Sequence, residues 1–297
     1  MENEANIFEI VVDIGNTRMK WGLCQANSVI LDISIPHHNE DGPQLLQKHQ
    51  EQLWQTILDQ WQQEKKITSN YSSLYWNIAS VHPGHCDQLI DWLHSLGANI
   101  IVIDSYTQLP LKVRVEKPES VGIDRLLNAL AMNRFRRENH FGIAVDAGTA
   151  ITIDIVNRAG EFIGGYILPG LPLLGRSLHD YTAKLPWVKD FSDPELTDSN
   201  LLEKPRKDSL PSFSFNPPGA TRTAIQRGII ALISGGINKI VQDIQTGFQI
   251  QSGELDLLIT GGDANKIQQW CSWNSAVVVP QLTLEGIRIA GKHMQRG

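Results

Sequence analysis

Cysteine is scarce in this sequence. Cys24, Cys86 and Cys271 are the three in 297 residues. An odd and widely spaced set argues against a disulfide framework and suits free thiols in a reducing compartment. Long apolar runs are missing as well. None reaches the roughly 20 residues of a membrane span, and Met1 to Glu9 shows no basic segment followed by an apolar one, so neither a membrane partner nor a signal peptide is expected. Positive charge is not in surplus. With 26 Lys and Arg against 32 Asp and Glu the formal net charge is -6, a poor match for nucleic acid or anionic lipid. The cluster at Arg134, Arg136 and Arg137 reads as a solvated helix end. The sequon at Asn70-Tyr71-Ser72 has no secretory context, and a cytoplasmic protein is expected.

What is present is a chain rich enough in apolar residues, at 41%, to bury substantial cores. Its length is a soft prior for two domains. Short β-branched runs alternate with amphipathic ones. IFEIVVD, the stretch from Met19 to Cys24 and SVILDISI read as strands of a hairpin-rich sheet. Pro43 to Lys66 carries Leu45, Leu46, Leu53, Trp54, Ile57, Leu58 and Trp61 near helical spacing. LYWNIASV, DQLIDWLHSL and NIIVID follow as strand, helix and strand, which indicates α/β layers. A helix is expected from about Gly122 to Asn139, with Asp124 in its first turn, where a carboxylate suits the helix dipole. Lys189 to Pro218 is rich in Asp, Ser and Pro and reads as a loop or flap.

One pattern occurs twice. IVVDIGNTRMKWGL and IAVDAGTAITIDIV share an apolar strand, Asp, one residue, Gly, a short turn, Thr and a second strand. Glycine lets backbone N–H groups approach an anion, a Thr hydroxyl adds a donor, and a carboxylate at a strand end can hold Mg²⁺ directly or through water. A single Asp13-Ile14-Gly15-Asn16-Thr17 is better explained by an ordinary hairpin with Asn-Thr in its turn. A second copy at Asp146-Ala147-Gly148-Thr149 favours phosphate handling. A third glycine turn, Thr260-Gly261-Gly262-Asp263, follows an apolar strand and fits an adenosine contact.

This order of motifs resembles the superfamily of acetate and sugar kinases, heat-shock ATPases and actin. With Gly122-Ile123-Asp124-Arg125, GGYILPG and Thr182-Ala183-Lys184-Leu185-Pro186 added, the chain resembles the type III pantothenate kinases. The resemblance implies an α/β fold of two ribonuclease-H-like lobes, a duplicated actin-like ATPase fold with nucleotide in the interlobe cleft, divided here as 1–122 and 123–297. It implies ATP and pantothenate as ligands and a homodimer. Asp124 would be the general base toward the pantothenate hydroxyl. Gly122, Ile123 and Arg125 would position that substrate, and Thr182 would touch it across the dimer interface. Asp13, Ile14, Gly15, Asn16, Thr17, Arg18, Met19 and Lys20 would bind the ATP phosphates with Mg²⁺, and Thr149 would also contact ATP. Asp146 would hold a monovalent cation, K⁺ or NH₄⁺.

The chain departs from the family at Val115 and Lys117, where Tyr and Asn are usual. Other readings compete. Gly170 to Ser177 nearly spells a P-loop but lacks its Lys and contains Pro172, so a turn entering a helix is expected. His82, His85 and Cys86 read as a surface turn around Pro83-Gly84, not a metal site. The eight tryptophans read as core and interface residues, since they lack the basic interleaving of a base-stacking platform. Rival functions are a related kinase for another small metabolite, or a nucleotide-binding regulator or filament protein.

Overall fold

A computed structural model describes residues 8–37, 43–65, 74–191, 218–251, 253–271, 273 and 275–296. The sequon at Asn70 and nearly all of the expected loop from Lys189 to Pro218 lie outside the described residues. The first sheet is built from β1 (Phe8–Ile14), β2 (Arg18–Gln25), β3 (Ser28–Pro36), β4 (Tyr75–Ser80) and β5 (Asn99–Ile103). Its order is β3-β2-β1-β4-β5, antiparallel across the hairpins and parallel from β1 to β5. The second sheet contains β6 (Phe141–Ala147), β7 (Ala150–Val156), β8 (Phe162–Pro169), β9 (Leu255–Thr260) and β10 (Val277–Val278), in the order β10-β9-β6-β7-β8. Read from its other end, that order repeats the first sheet strand for strand. The duplicated motif in the sequence thus occupies equivalent hairpins, β1–β2 and β6–β7.

The helices are α1 (Pro43–Lys65), α2 (Pro83–Ser95), α3 (Ile123–Phe135), α4 (Leu171–Asp180), α5 (Thr221–Gly247), α6 (Ala264–Trp270) and α7 (Leu282–Met294). The chain forms two compact units. One comprises Met1–Ala144, Asp154–Gly165 and Gln281–Gly297, the other Val145–Ile153 and Tyr166–Pro280. The sequence division after Gly122 follows motif order. The units follow packing, and α3 and α7 pack on the first sheet's side.

The core of the first unit gathers Trp54, Ile57, Leu58 and Trp61 of α1 against Ile10, Val12, Trp21, Trp76 and Ile78 of the sheet and Leu89 and Trp92 of α2. That face of α1 is therefore lobe packing. Trp21 meets Trp76 edge-on, with centroids 5.4 Å apart at 89°, and Trp54 lies 5.2 Å from Trp92. Such aromatic pairs add about 0.5–1.5 kcal/mol each beyond their buried area. α7 crosses α3 at Gly286, where a Cβ would overlap the Leu127 carbonyl oxygen. The same helix carries the buried Glu285, which accepts from Val29 N at 2.8 Å and from Arg288 Nε at 2.9 Å. Partnered in this way, a carboxylate can be taken out of water. In the second unit α5 buries Ile225, Ile229, Ile233, Ile237, Val241 and Ile244, a stripe at helical spacing.

Candidate active site

In the β1–β2 hairpin, Gly15 N donates to Arg18 O at 3.0 Å, so the turn is Gly15, Asn16 and Thr17. Strand register places Asp13 opposite Lys20 and Ile14 opposite Met19. The two pairs face opposite sides, as strand alternation requires. Ile14 and Met19 are buried in the core, so these two can meet a ligand only through their main chain. Asp13 and Lys20 are half-buried, while Asn16, Thr17 and Arg18 are exposed. Arg18 turns back to its own sheet: Nε donates to Ser34 Oγ at 2.8 Å and Nη2 to Ser34 O at 3.1 Å.

The second hairpin closes through a turn one residue shorter, with Gly148 N donating to Ala150 O at 3.0 Å. Asp146 is half-buried and Thr149 exposed. Two further segments converge here. Gly170 N, at the start of α4, donates to Thr149 O at 2.9 Å, and Asp263 N donates to Ala147 O at 3.0 Å. The third glycine turn therefore packs directly on the second. Gly261 has φ +92°, and a Cβ there would stand 2.5 Å from Ala147 O and 2.6 Å from Asp146 Oδ1. The left-handed backbone and the close approach both demand glycine. Asp263 is tied to Lys266 Nζ at 2.8 Å.

The Gly122-Ile123-Asp124-Arg125 segment opens α3, with Gly122 as its N-cap and Asp124 in the first turn. Asp124 Oδ1 accepts from Arg125 N at 2.9 Å, which orients the carboxylate at the helix N-terminus. Ile123 is buried, while Asp124 and Arg125 are half-buried. Arg125 Nε donates to Asp154 Oδ1 at 2.7 Å, and Nη2 lies 2.7 Å from the same oxygen. Asp154 is fully buried, and the guanidinium carbon sits 5.8 Å from the centre of the Phe162 ring. Asp154 was assigned no role by sequence reasoning. Its signal was there: a carboxylate inside the apolar run AITIDIV must find a cationic partner once buried.

Thr182 is exposed just beyond α4, its hydroxyl donating to Leu178 O at 2.6 Å. Val115 packs near Gly164, and Lys117 is exposed at the start of a 3₁₀ turn, Pro118–Ser120. The Gly170–Ser177 segment is no phosphate loop: α4 begins at Leu171, and Gly175 lies within it against the Val188 carbonyl. Residues 82–86 are the N-terminus of α2 and not the expected surface turn, because His82 Nδ1 caps the helix by accepting from His85 N at 3.4 Å and Pro83 suits its first position. Among the described residues no group of three or more His, Cys, Asp and Glu is arranged to hold a metal ion. None of their helices is long and apolar enough to cross a membrane. All three cysteines are buried free thiols, and burial pushes Cys271 up to about 12.

Comparisons with known proteins identify the family and the fold. The profile of the type III pantothenate kinases matches residues 9–243. A type III pantothenate kinase of Sulfurihydrogenibium sp. is 34% identical over 227 residues, covering 76% of this chain and 79% of that protein. One from Methylacidiphilum infernorum is 30% identical over 285 residues, covering 95% and 88%. Among solved structures, the ethanolamine utilization protein EutJ of Carboxydothermus hydrogenoformans shares the fold, with a TM-score of 0.51 at 14% identity over 95% of this chain and 89% of that one. With the profile running through both Asp-x-Gly hairpins and the Gly122–Arg125 helix start, the chain belongs to the type III pantothenate kinase family.

Proposed function

We propose that this chain transfers the γ-phosphoryl group of ATP to the primary hydroxyl of pantothenate, the entry step of coenzyme A synthesis. The family match across residues 9–243 carries the reading. Each lobe of the sequence division, 1–122 and 123–297, brings one phosphate turn. Asp13 to Lys20 and Thr149 bind the nucleotide, with Ile14 and Met19 acting through their main chain. Gly122, Ile123 and Arg125 position pantothenate, and Asp124 accepts the proton of its hydroxyl as that oxygen bonds to phosphorus and the bond to ADP breaks. Catalysis is then mostly positioning and charge neutralisation.

The donors fit hard cations. Asp13 and Asp146 offer carboxylate oxygen at strand ends, with main-chain oxygens beside Asp146. Mg²⁺ commonly takes one or two carboxylates and completes its shell with phosphate oxygens and water. Asp13 suits that role, and Asp146 suits K⁺ or NH₄⁺. The cation supplies charge compensation for the phosphates when bound. The three buried thiols support a reducing, cytoplasmic setting. A homodimer is supported by apolar side chains exposed in the second unit: Tyr166 and Ile167 of the edge strand β8, Leu173 of α4 and Leu232 of α5. Thr182 would reach pantothenate across that interface.

The test is an assay of the purified protein with pantothenate and MgATP in K⁺, NH₄⁺ or Na⁺ buffer, following phosphopantothenate and ADP together. Stoichiometric formation of both, stimulated by K⁺ or NH₄⁺, is expected. ADP without phosphopantothenate, or turnover of another metabolite in preference, overturns the assignment.

A further inference from the structure

His37 follows β3 and was singled out by no motif. Its backbone N–H donates to Thr17 O at 2.9 Å, and its ring Nε2 lies 2.9 Å from Gly15 O. One residue therefore holds the carbonyls of two peptides in the first phosphate turn. The Gly15 carbonyl can only accept, so Nε2 carries the proton, and Nδ1 is buried without a partner. The ring is packed from the β4–α2 junction. It stacks on His85 with centroids 4.0 Å apart at 14°, and His85 lies 4.3 Å from His82. His82 caps α2, and the adjacent Val81 N donates to Ile14 O at 3.0 Å. The histidines set aside as a metal-site decoy thus form the backing of the hairpin's turn.

The consequence follows from peptide geometry. A trans peptide points its C=O and N–H in opposite directions within one plane. Holding the Gly15 carbonyl toward His37 turns the N–H of Asn16 away from it. Holding the Thr17 carbonyl does the same for the N–H of Arg18. Donors aimed at an anion are useful only if they cannot flip, since reorganising them at each binding event costs affinity.

We propose that His37, backed by the His82–His85 pair, is a positioning residue for nucleotide phosphate, fixing the Asn16 and Arg18 main-chain donors of the first turn. This rests on the reading of that turn as a phosphate site. The experiment compares the full chain with His37→Gln, which keeps an N–H able to reach the Gly15 carbonyl, and His37→Leu, which keeps bulk but has no donor. MgATP affinity is measured by calorimetry without pantothenate, and KM is measured for both substrates. His37→Leu is expected to weaken MgATP about tenfold, equivalent to about 1.4 kcal/mol, with the pantothenate KM changed less than about twofold. His37→Gln should return to within about threefold of the parent. If the leucine variant does not fold, His37→Asn, too short to reach the carbonyl, takes its place with the same expected loss. Unchanged MgATP affinity in the donor-less variant overturns the inference alone, and so does a glutamine variant as weak as the leucine one. A parent protein without MgATP affinity overturns the phosphate-turn reading and this inference with it.

Discussion

Arg125 at the start of α3 and Asp154 in the middle of β7 share one buried ion pair, with Nε and Nη2 each 2.7 Å from a single carboxylate oxygen. The pair ties the helix that carries Asp124 to the second strand of the Asp146 hairpin. Removing one member of such a pair strands the other charge, which costs about 3–5 kcal/mol. Asp154→Ala should therefore lose stability of that order in urea unfolding. Asp154→Asn, which keeps shape but not charge, should raise the pantothenate KM more than the MgATP KM. A rise confined to MgATP would contradict the placement of Arg125 on the acceptor side.

Asp124 is held by the Arg125 N–H at the first turn of its helix. As a general base it would supply about two to four powers of ten in rate. Asp124→Asn keeps the side chain's shape and should lower kcat by that factor while MgATP binding, read by calorimetry, stays within about twofold. Retention of full turnover would remove Asp124 from the proton transfer.

Gly261 has a left-handed backbone, and a Cβ there would stand 2.5 Å from Ala147 O and 2.6 Å from Asp146 Oδ1. Gly261→Ala forces both a disfavoured φ and a steric overlap. A strained backbone of this kind costs about 1–3 kcal/mol. The variant should lower the unfolding midpoint and, if Asp146 holds the proposed monovalent cation, any K⁺ stimulation of turnover with it. A variant with parental stability and cation response would show that the two turns do not need this contact.

The histidine stack predicts a pH dependence of stability. His37 is held below the ordinary value chiefly by burial, which its bond to Gly15 O opposes in part, with the neighbouring His82 lowering it slightly further. His85 is lowered by burial and by His37 and His82, with Gln88 acting the other way. Both folded values lie below the unfolded 6.5. Below 6.5 the unfolded chain binds more protons, so stability falls as pH drops from that value toward the folded ones, and is fully present above it. Urea midpoints should begin to drop as pH falls below about 6.5. The double change of His37→Gln and His85→Gln should flatten part of that slope, and an unaltered slope would assign it elsewhere.

Ile167 is 65% and Leu232 61% exposed in the second unit. If that face joins two copies, Ile167→Glu with Leu232→Glu should convert the dimer to monomer in analytical ultracentrifugation. Pantothenate phosphorylation should fall with it, because Thr182 would lose its cross-interface role. A parent protein that sediments as a monomer would discard the shared-site reading.

Much of the architecture was legible from hydrophobic periodicity. IFEIVVD and IAVDAGTAITIDIV mark strands because short β-branched runs bounded by turns have few other folds. The repeat of Asp, Gly and Thr located two hairpins that prove to hold equivalent places in two sheets of the same order. Other features depended on neighbours remote in sequence. Ile14 and Met19 lie within the first Asp-Gly motif, yet strand alternation sends their side chains into the core. Residues 82–86 read as a turn because Pro and Gly punctuate them, but a capping His82 makes them a helix start.

The sequence by itself determined the family, the two glycine-bearing hairpins and the positions of the carboxylates Asp13, Asp124 and Asp146, since these are set by residue type and local spacing. Only the tertiary structure decided which groups those hairpins and carboxylates work beside. Thr260–Asp263 docks on the Asp146 turn more than a hundred residues away in the chain. Asp154 neutralises Arg125, and His37 reaches back to Gly15 across the sheet edge. Hydrogen bonds and ion pairs act over about 3 Å of space, whatever the distance along the chain, so their partners are known only once the sheets have brought them together.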